Sequence, residues 1–470
     1  MRKTLIQNLS VNAIQLIVNQ LFGLGIFYVL STGLDKSSFG HINLVLAILM
    51  AVFNILSFGI DQLIVKKIAA GADASGLLSI YLAHVLITGL IFYGILFIGH
   101  YFLQSVNQTY SLLLLIGIGK LMIFFSTPFK QVANGMERFR LLAYMSVGSN
   151  IVRCFGLIIL ALLHHLSLYT VIPVFIGGDV IEFLSCIILF RNTAKTSVKI
   201  RWNRTAYSRL LRESLPQTGV VLITSALARF DWIFIGVMVS AIKLAEYSFA
   251  YKVFEIATLP LLAIAPLLIP RFTKLFQQID FKVDNLKILV RVEMVIAAFI
   301  ALLLNVCWSP VIDGITSGKY GLINFKTIFI LSLCMPFLYL NNFLWTVYFA
   351  QGRLKMILTS FVITFLVNVV LDILLIPFFK NEGAAFAFLL SCVVQTIYYL
   401  KQNTVNEFTN LWQPLFFCTL CALIAGIASK ILFSNIWLIA ATSVLFYVIL
   451  LFFSGQIKFA DRHRVVQLFS

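Results

Sequence analysis

Charge is scarce in this sequence: Asp, Glu, Lys and Arg together make up 11% of 470 residues. An ordinary soluble domain carries about a quarter, so a water-facing surface of the usual extent is excluded. Acids are scarcer still, 18 against 35 Lys and Arg. Enzyme signatures are also missing. There is no HExxH and no GxSxG, and the six His lie mostly at the ends of apolar runs. "GIGK" at 117–120 lacks the first glycine of a phosphate loop, which would fall on Leu114, and Leu121 follows the lysine where Ser or Thr is needed. The seven Cys all fall inside apolar segments, and the CxxC-spaced Cys418 and Cys421 have no second pair or nearby His, so packing is expected of them. ATP hydrolysis, a metal centre and a cofactor are therefore not expected.

What the sequence has in abundance is apolar length. Hydrophobic residues make up 61%, Phe alone numbers 44, and mean hydropathy is +0.99. Runs of about 20 apolar residues recur from end to end, the length that crosses a bilayer. Windows of about 19 residues place spans at 8–31, 40–60, 77–99, 110–128, 141–162, 169–190 and 215–239. Seven more fall at 246–270, 289–309, 326–350, 356–378, 383–400, 411–432 and 436–455, giving fourteen and an all-α membrane protein. The basic start runs into an Asn- and Gln-rich stretch without a compact apolar core and cleavage site, so it reads as a retained first helix. With both termini cytoplasmic, inner segments hold 25 of the 35 Lys and Arg, as the positive-inside rule requires. The net charge of +17 is thus a topology signal with some attraction to anionic membrane lipid, and gives nucleic-acid binding little support.

The richest basic segment, 191–214, joins the sixth and seventh spans and marks a lobe boundary. The expected organisation is an N-terminal lobe at 1–190, a basic cytoplasmic loop at 191–214, a C-terminal lobe at 215–400, and two extra helices with a basic tail at 401–470. A weak repeat supports it: at an offset of 208, "SSFGHINLVL" (37–46) falls on "AEYSFAYKVF" (245–254). Six helices separate the copies, so the two six-helix lobes run parallel, as in transporters built from two such halves. No outer loop is long, which disfavours a glycan-processing enzyme.

Charges inside the spans are the candidate functional residues, because each costs about 2.5–3.5 kcal/mol at a span centre on insertion scales. Such groups face a bundle interior or a watery cavity. The cations are Lys120, Arg153, Arg229 and Lys252; the acids are Asp179, Glu182, Asp231, Glu255 and Asp372, with Asp61 at an inner helix end. Asp179 with Glu182, and Lys252 with Glu255, are three apart and share a helix face. Lys252 and Glu255 therefore suit either a salt bridge or a cavity. Arg153 has no acid within four positions, so its partner comes from another helix or from a ligand; Lys120 either meets a ligand or snorkels. In the first helix Asn8, Asn12, Gln15 and Asn19 form a polar stripe that suggests a lumen lining. Asp61 and Asp372 suit structural or gating roles.

Three stretches resemble the polysaccharide-export branch of the multidrug/oligosaccharidyl-lipid/polysaccharide (MOP) superfamily. Residues 215–274 carry Leu215/Pro216, Asp231, Tyr247, Leu259/Pro260 and Pro270; residues 351–391 carry Gly352, Lys355, Asn368, Ile376/Pro377 and Gly383/Ala384/Ala385; residues 37–69 carry Phe39, Gly40, Gly59 and the basic pair Lys66/Lys67. The chain is most similar in length and basic lumen to O-antigen repeat-unit (Wzx-like) flippases. The resemblance implies movement of an undecaprenyl-pyrophosphate-linked oligosaccharide from the cytoplasmic to the periplasmic leaflet of the bacterial inner membrane, by alternating access. It also implies a polysaccharide polymerase and a chain-length regulator as partners.

The residues themselves agree on one point, that an anionic headgroup would meet charge-assisted donors. Substrate contact is accordingly expected of Arg153, Arg229, Lys120, Lys252, Asn12, Gln15 and Asn19. If transport is coupled to H+ or Na+, Asp231, Glu255, Asp179 and Glu182 are the carriers, with Asp61 as a gating group. A lipid II or other isoprenoid-linked precursor flippase would use the same residues. A multidrug or organic-cation antiporter would need carboxylates rather than arginines in its cavity, and a membrane glycan polymerase would need acid/base pairs and longer outer loops.

Overall fold

The computed structural model describes residues 2–102, 108–194, 203–261, 272, 284–402 and 410–457. The side chains of Asn8 and Asn12, Pro270, the basic residues within 195–202 and 271–282, and the tail from 458 lie outside the described residues. Everything described is helix or short connection, with no strand among the described residues. That follows from the solvent: in a bilayer each backbone amide must be satisfied within its own segment. Ten of the described helices are long and apolar enough to cross a membrane.

The first compact unit is Met1–Gly236. It holds α1 (Arg2–Gly33), α2 (Lys36–Leu56), α3 (Ile60–Ala69), α4 (Ala74–Phe102), α5 (Gln108–Gly135), α6 (Phe139–Leu162), α7 (Leu168–Ala194) and nearly all of α8 (Arg204–Met238). Asp35 caps α2 by accepting from Ser38 N at 2.9 Å.

The run expected as one span at 40–60 ends at Leu56 and restarts at Ile60. Phe58 and Gly59 take φ of 50° and 65°, the left-handed region that favours glycine. A Cβ at Gly59 would lie 2.9 Å from the backbone of Gln217 and Thr218, so α8 presses on the break. It also satisfies it, since Thr218 Oγ1 donates to Phe58 O at 2.7 Å and Asn54 Nδ2 donates to Ser225 Oγ at 3.1 Å. These contacts hold α8 to the first unit, so the boundary between compact units falls at Gly236, later than the charge-rich 191–214 segment. Beyond the break, Ile60, Ile64 and Ile68 form a buried stripe of α3.

The second unit is Val237–Ser470. Its described helices are α9 (Ala241–Ala257), α10 (Asp284–Thr316), α11 (Phe325–Ala350), α12 (Leu354–Lys401), α13 (Trp412–Leu432) and α14 (Ile436–Phe453). Ser240 caps α9 by accepting from Lys243 N, and Asn435 caps α14 by accepting from Trp437 N. The 48 residues of α12 turn back at Lys380 (φ 53°, ψ −124°), just after Pro377, and so supply the two spans expected at 356–378 and 383–400. A Cβ at Gly383 would lie 2.6 Å from Leu375 O, so the turn closes only around glycine. The two C-terminal helices pack with α10, and Tyr447 Oη donates to Val295 O at 2.9 Å.

Candidate functional site

The answer to what Arg153 meets lies on α7. Asp179 and Glu182, one helical turn apart, point together between α5 and α6. Arg153 Nη2 on α6 donates to Asp179 Oδ1 and, at 3.1 Å, to Glu182 Oε2. Lys120 Nζ on α5 donates to the same Asp179 Oδ1 at 2.9 Å. Lys130, one turn before the end of α5 region at Gly135, donates to Glu182 Oε1. Ser149 Oγ donates to Glu182 Oε2 at 2.5 Å, and Asn150 Oδ1 accepts from Arg153 Nη1 at 2.8 Å. Asp179 is wholly buried, and Arg153 and Glu182 are each 7% exposed. Three cations thus surround two carboxylates, leaving a formal excess of one positive charge.

Two glycines make the cluster possible. A Cβ on Gly119 would overlap Asp179 Oδ2, and one on Gly178 would overlap Arg153 Cγ and lie 2.7 Å from its Nε. Each glycine precedes a charged member of the cluster, Lys120 or Asp179, and lets a partner from the facing helix lie against the backbone. The "GIGK" that has no phosphate loop in it is therefore a packing motif for a carboxylate.

Of the α1 stripe, Gln15 and Asn19 have partners on α6. Gln15 Nε2 donates to Ser146 Oγ at 2.9 Å, and Asn19 Oδ1 accepts from Asn150 Nδ2 at 3.0 Å. Gln15 and Asn19 thus join α1 to α6. They extend the charged cluster through Asn150, so α1, α5, α6 and α7 are tied by one polar network. Its α6 members follow a Ser146, Ser149, Asn150, Arg153 stripe at helical spacing, a signal that the sequence reading passed over. Lys130 was also missed, because its position near an inner helix end made it count as a loop cation.

Lys120 alone of the cluster's cations lines an adjoining cavity of about 370 Å³, whose other walls include Phe53, Asn54, Ser57, Asp61, Phe124 and Thr127. Its side chain keeps 21% exposure, against 9% for Arg153. Phe175 lies 5.6 Å from the ammonium. Asp61, expected at an inner helix end, occupies the first turn of α3, where the helix N-terminus favours a negative charge.

The remaining candidates sit elsewhere. On α8, Arg229 stacks over the Trp232 ring at 4.4 Å, and Asp231 Oδ1 accepts from Trp232 N at 2.8 Å. In the second unit Lys252 and Glu255 form the expected same-face salt bridge at 2.7 Å, and Asp372 is fully buried. Glu293 on α10, 4% exposed, was not anticipated; it forms no ion pair among the described residues.

A family described as polysaccharide biosynthesis protein matches residues 5–276, more than half of the chain. The chain belongs to the polysaccharide biosynthesis protein family. No curated protein matches it in sequence.

Solved structures show the fold of this family member. A lipid II flippase MurJ in an inward closed conformation superposes with a TM-score of 0.73 at 15% identity, covering 95% of this chain and 99% of that one. An inward-facing multidrug resistance MATE family transporter of the MOP superfamily gives 0.66 at 12% identity, covering 86% and 99%. A MOP superfamily transporter from Pyrococcus furiosus, described as having a binding pocket of reversed polarity, gives 0.55 at 12%, covering 86% and 94%. This polysaccharide biosynthesis protein is a multi-pass membrane protein that shares the fold of these MOP superfamily transporters.

Proposed function

We propose that the protein flips a lipid-linked, anionic oligosaccharide, of the O-antigen repeat-unit kind carried on undecaprenyl pyrophosphate, from the cytoplasmic to the periplasmic leaflet. The observation that carries the reading is the cation excess of the Lys120–Arg153–Lys130 cluster and its opening through Lys120 onto a cavity. Arg153 and Lys130 hold Asp179 and Glu182; Lys120 shares Asp179 with Arg153, so it can leave for a phosphate without abandoning a buried carboxylate. A charge-assisted contact of that kind suits a phosphate or an acidic sugar. Family membership and the likeness to a lipid II flippase support the same direction.

Arg229 and Lys252 are proposed as further substrate contacts, with two lobes alternating in access. Coupling to H+ or Na+ would use Asp179, Glu182, Asp231 or Glu255, with Asp61 as a gating group. The protein then resides in the inner membrane with both termini cytoplasmic and works beside a polymerase and a chain-length regulator. A lipid II-type precursor would engage the same residues. The MATE likeness keeps a drug antiporter as the second reading, and a lysine on the cavity wall opposes an organic cation there.

Surface polysaccharide in a deletion strain complemented with wild type, Lys120→Gln or Lys120→Arg, at matched protein levels, tests the reading. Loss with Gln and retention with Arg are expected. Normal polysaccharide with Lys120→Gln would remove the cationic contact from the account.

A further inference from the structure

The cavity beside Lys120 has a second chemistry that the flippase reading does not use. Ser57 Oγ donates to Asn54 O at 2.8 Å and Thr127 Oγ1 donates to Ile123 O at 3.2 Å. Asn54 Nδ2 already donates to Ser225. A hydroxyl has one proton to give and two lone pairs to accept with, and an ionised carboxylate only accepts. With the donors committed to the protein, the Ser57, Thr127 and Asp61 part of this wall has acceptor capacity left for a ligand. The Phe53 and Phe124 rings, stacked at 4.9 Å, add an apolar surface. Opposite in character is Lys120, a pure donor.

The complement of such a cavity presents several O–H donors and an apolar face next to an anion. We infer that it binds one pyranose ring, the sugar attached directly to the pyrophosphate, with its hydroxyls donating to Asp61, Ser57 and Thr127 while Lys120 holds the phosphate. The inference rests on the flippase reading above and names the part of the substrate that this pocket takes. A drug-like cation would find Asp61 but would also meet the Lys120 charge. A bare lipid phosphate would leave the acceptor wall without donors. Asp61 is suited to the task because its Oδ1 is buried without a hydrogen-bond partner among the described residues, in the first turn of α3. The break at Phe58 and Gly59 is what gives α3 an N-terminus there at all.

The test measures binding of short-chain probes to the purified full chain: farnesyl pyrophosphate, bare or carrying one glucose, galactose or N-acetylglucosamine. A hydrogen bond to a charged acceptor predicts that at least one sugar-bearing probe binds wild type about tenfold more tightly than the bare one. In Asp61→Asn that preference should fall to about twofold or less, and Thr127→Val should reduce it by a smaller factor. Lys120→Gln should weaken all four probes together. A wild-type preference near one for every sugar, or a preference unchanged in both Asp61→Asn and Thr127→Val, would overturn the sugar subsite while leaving the flippase reading standing. Failure of wild type to bind any of the probes would remove the lipid-pyrophosphate reading and the subsite with it.

Discussion

Replacing Arg153 separates a structural arginine from a ligand-binding one. The side chain is 7% exposed and donates to Asp179, Glu182 and Asn150. Arg153→Ala leaves two buried carboxylates with a single lysine each, Lys120 on Asp179 and Lys130 on Glu182. Removing one partner of a buried ion pair costs about 3–5 kcal/mol, because the remaining charge stays desolvated. For a unit of this size, each kcal/mol lowers the melting temperature by about 2–4 °C, so a fall of roughly 6–20 °C is expected. Arg153→Lys keeps the charge but not the planar fork that spans two carboxylates, and should fall between alanine and wild type. Thermal unfolding of purified protein in detergent measures both. Adding Glu182→Gln to Arg153→Ala should recover part of the loss, because one of the stranded charges is gone. An Arg153→Ala protein that melts with wild type yet fails to transport would refute the reasoning and return Arg153 to the substrate.

Gly119→Ala drives a methyl group into Asp179 Oδ2, and overpacking of this kind costs about 1–3 kcal/mol. Gly117→Ala, whose Cβ would sit 3.4 Å from the Tyr93 ring, is the milder comparison, and equal melting temperatures for the two would contradict the packing role of Gly119. Gly59→Ala should lower membrane protein levels, since it meets both a φ of 65° and the α8 backbone at 2.9 Å; wild-type levels after membrane fractionation would count against it. Lys252→Gln should cost at most about 0.5 kcal/mol, the worth of a same-helix pair, because Glu255 keeps 37% side-chain exposure. A melting shift as large as that of Arg153→Ala would show that this pair has a larger role than its geometry gives it.

Most of the architecture could be read from the sequence because hydropathy reports the solvent directly. The span expected at 169–190 lies within α7 (Leu168–Ala194), and those expected at 411–432 and 436–455 correspond to α13 and α14 within two residues. The α2–α3 break was hidden, because the apolar run continues through it and Thr218 of α8, which meets Phe58 and Gly59, lies 160 residues from Phe58 in sequence. Burial of Arg153, Asp179, Glu182, Asp231 and Asp372 was equally legible, from the cost of charge in a bilayer. Their partners were not: Arg153 and Asp179 are 26 residues apart on different helices, and nothing in either helix names the other. Lys130 shows the same limit in reverse. Near a helix end, a lysine in contact with a buried carboxylate and one in a cytoplasmic loop look alike until α7 is packed beside it.

The central claim is that Lys120 is the cluster's substrate-facing cation, and translocation itself tests it most directly. Proteoliposomes holding wild type, Lys120→Gln or Lys120→Arg would be loaded with an undecaprenyl-pyrophosphate-linked oligosaccharide. Arrival of the glycan in the opposite leaflet would then be followed with an impermeant sugar-oxidising or lectin probe. Transport by wild type and Lys120→Arg, with loss in Lys120→Gln at a melting temperature lowered less than by Arg153→Ala, is the predicted result. Equal transport by wild type and Lys120→Gln would contradict the claim.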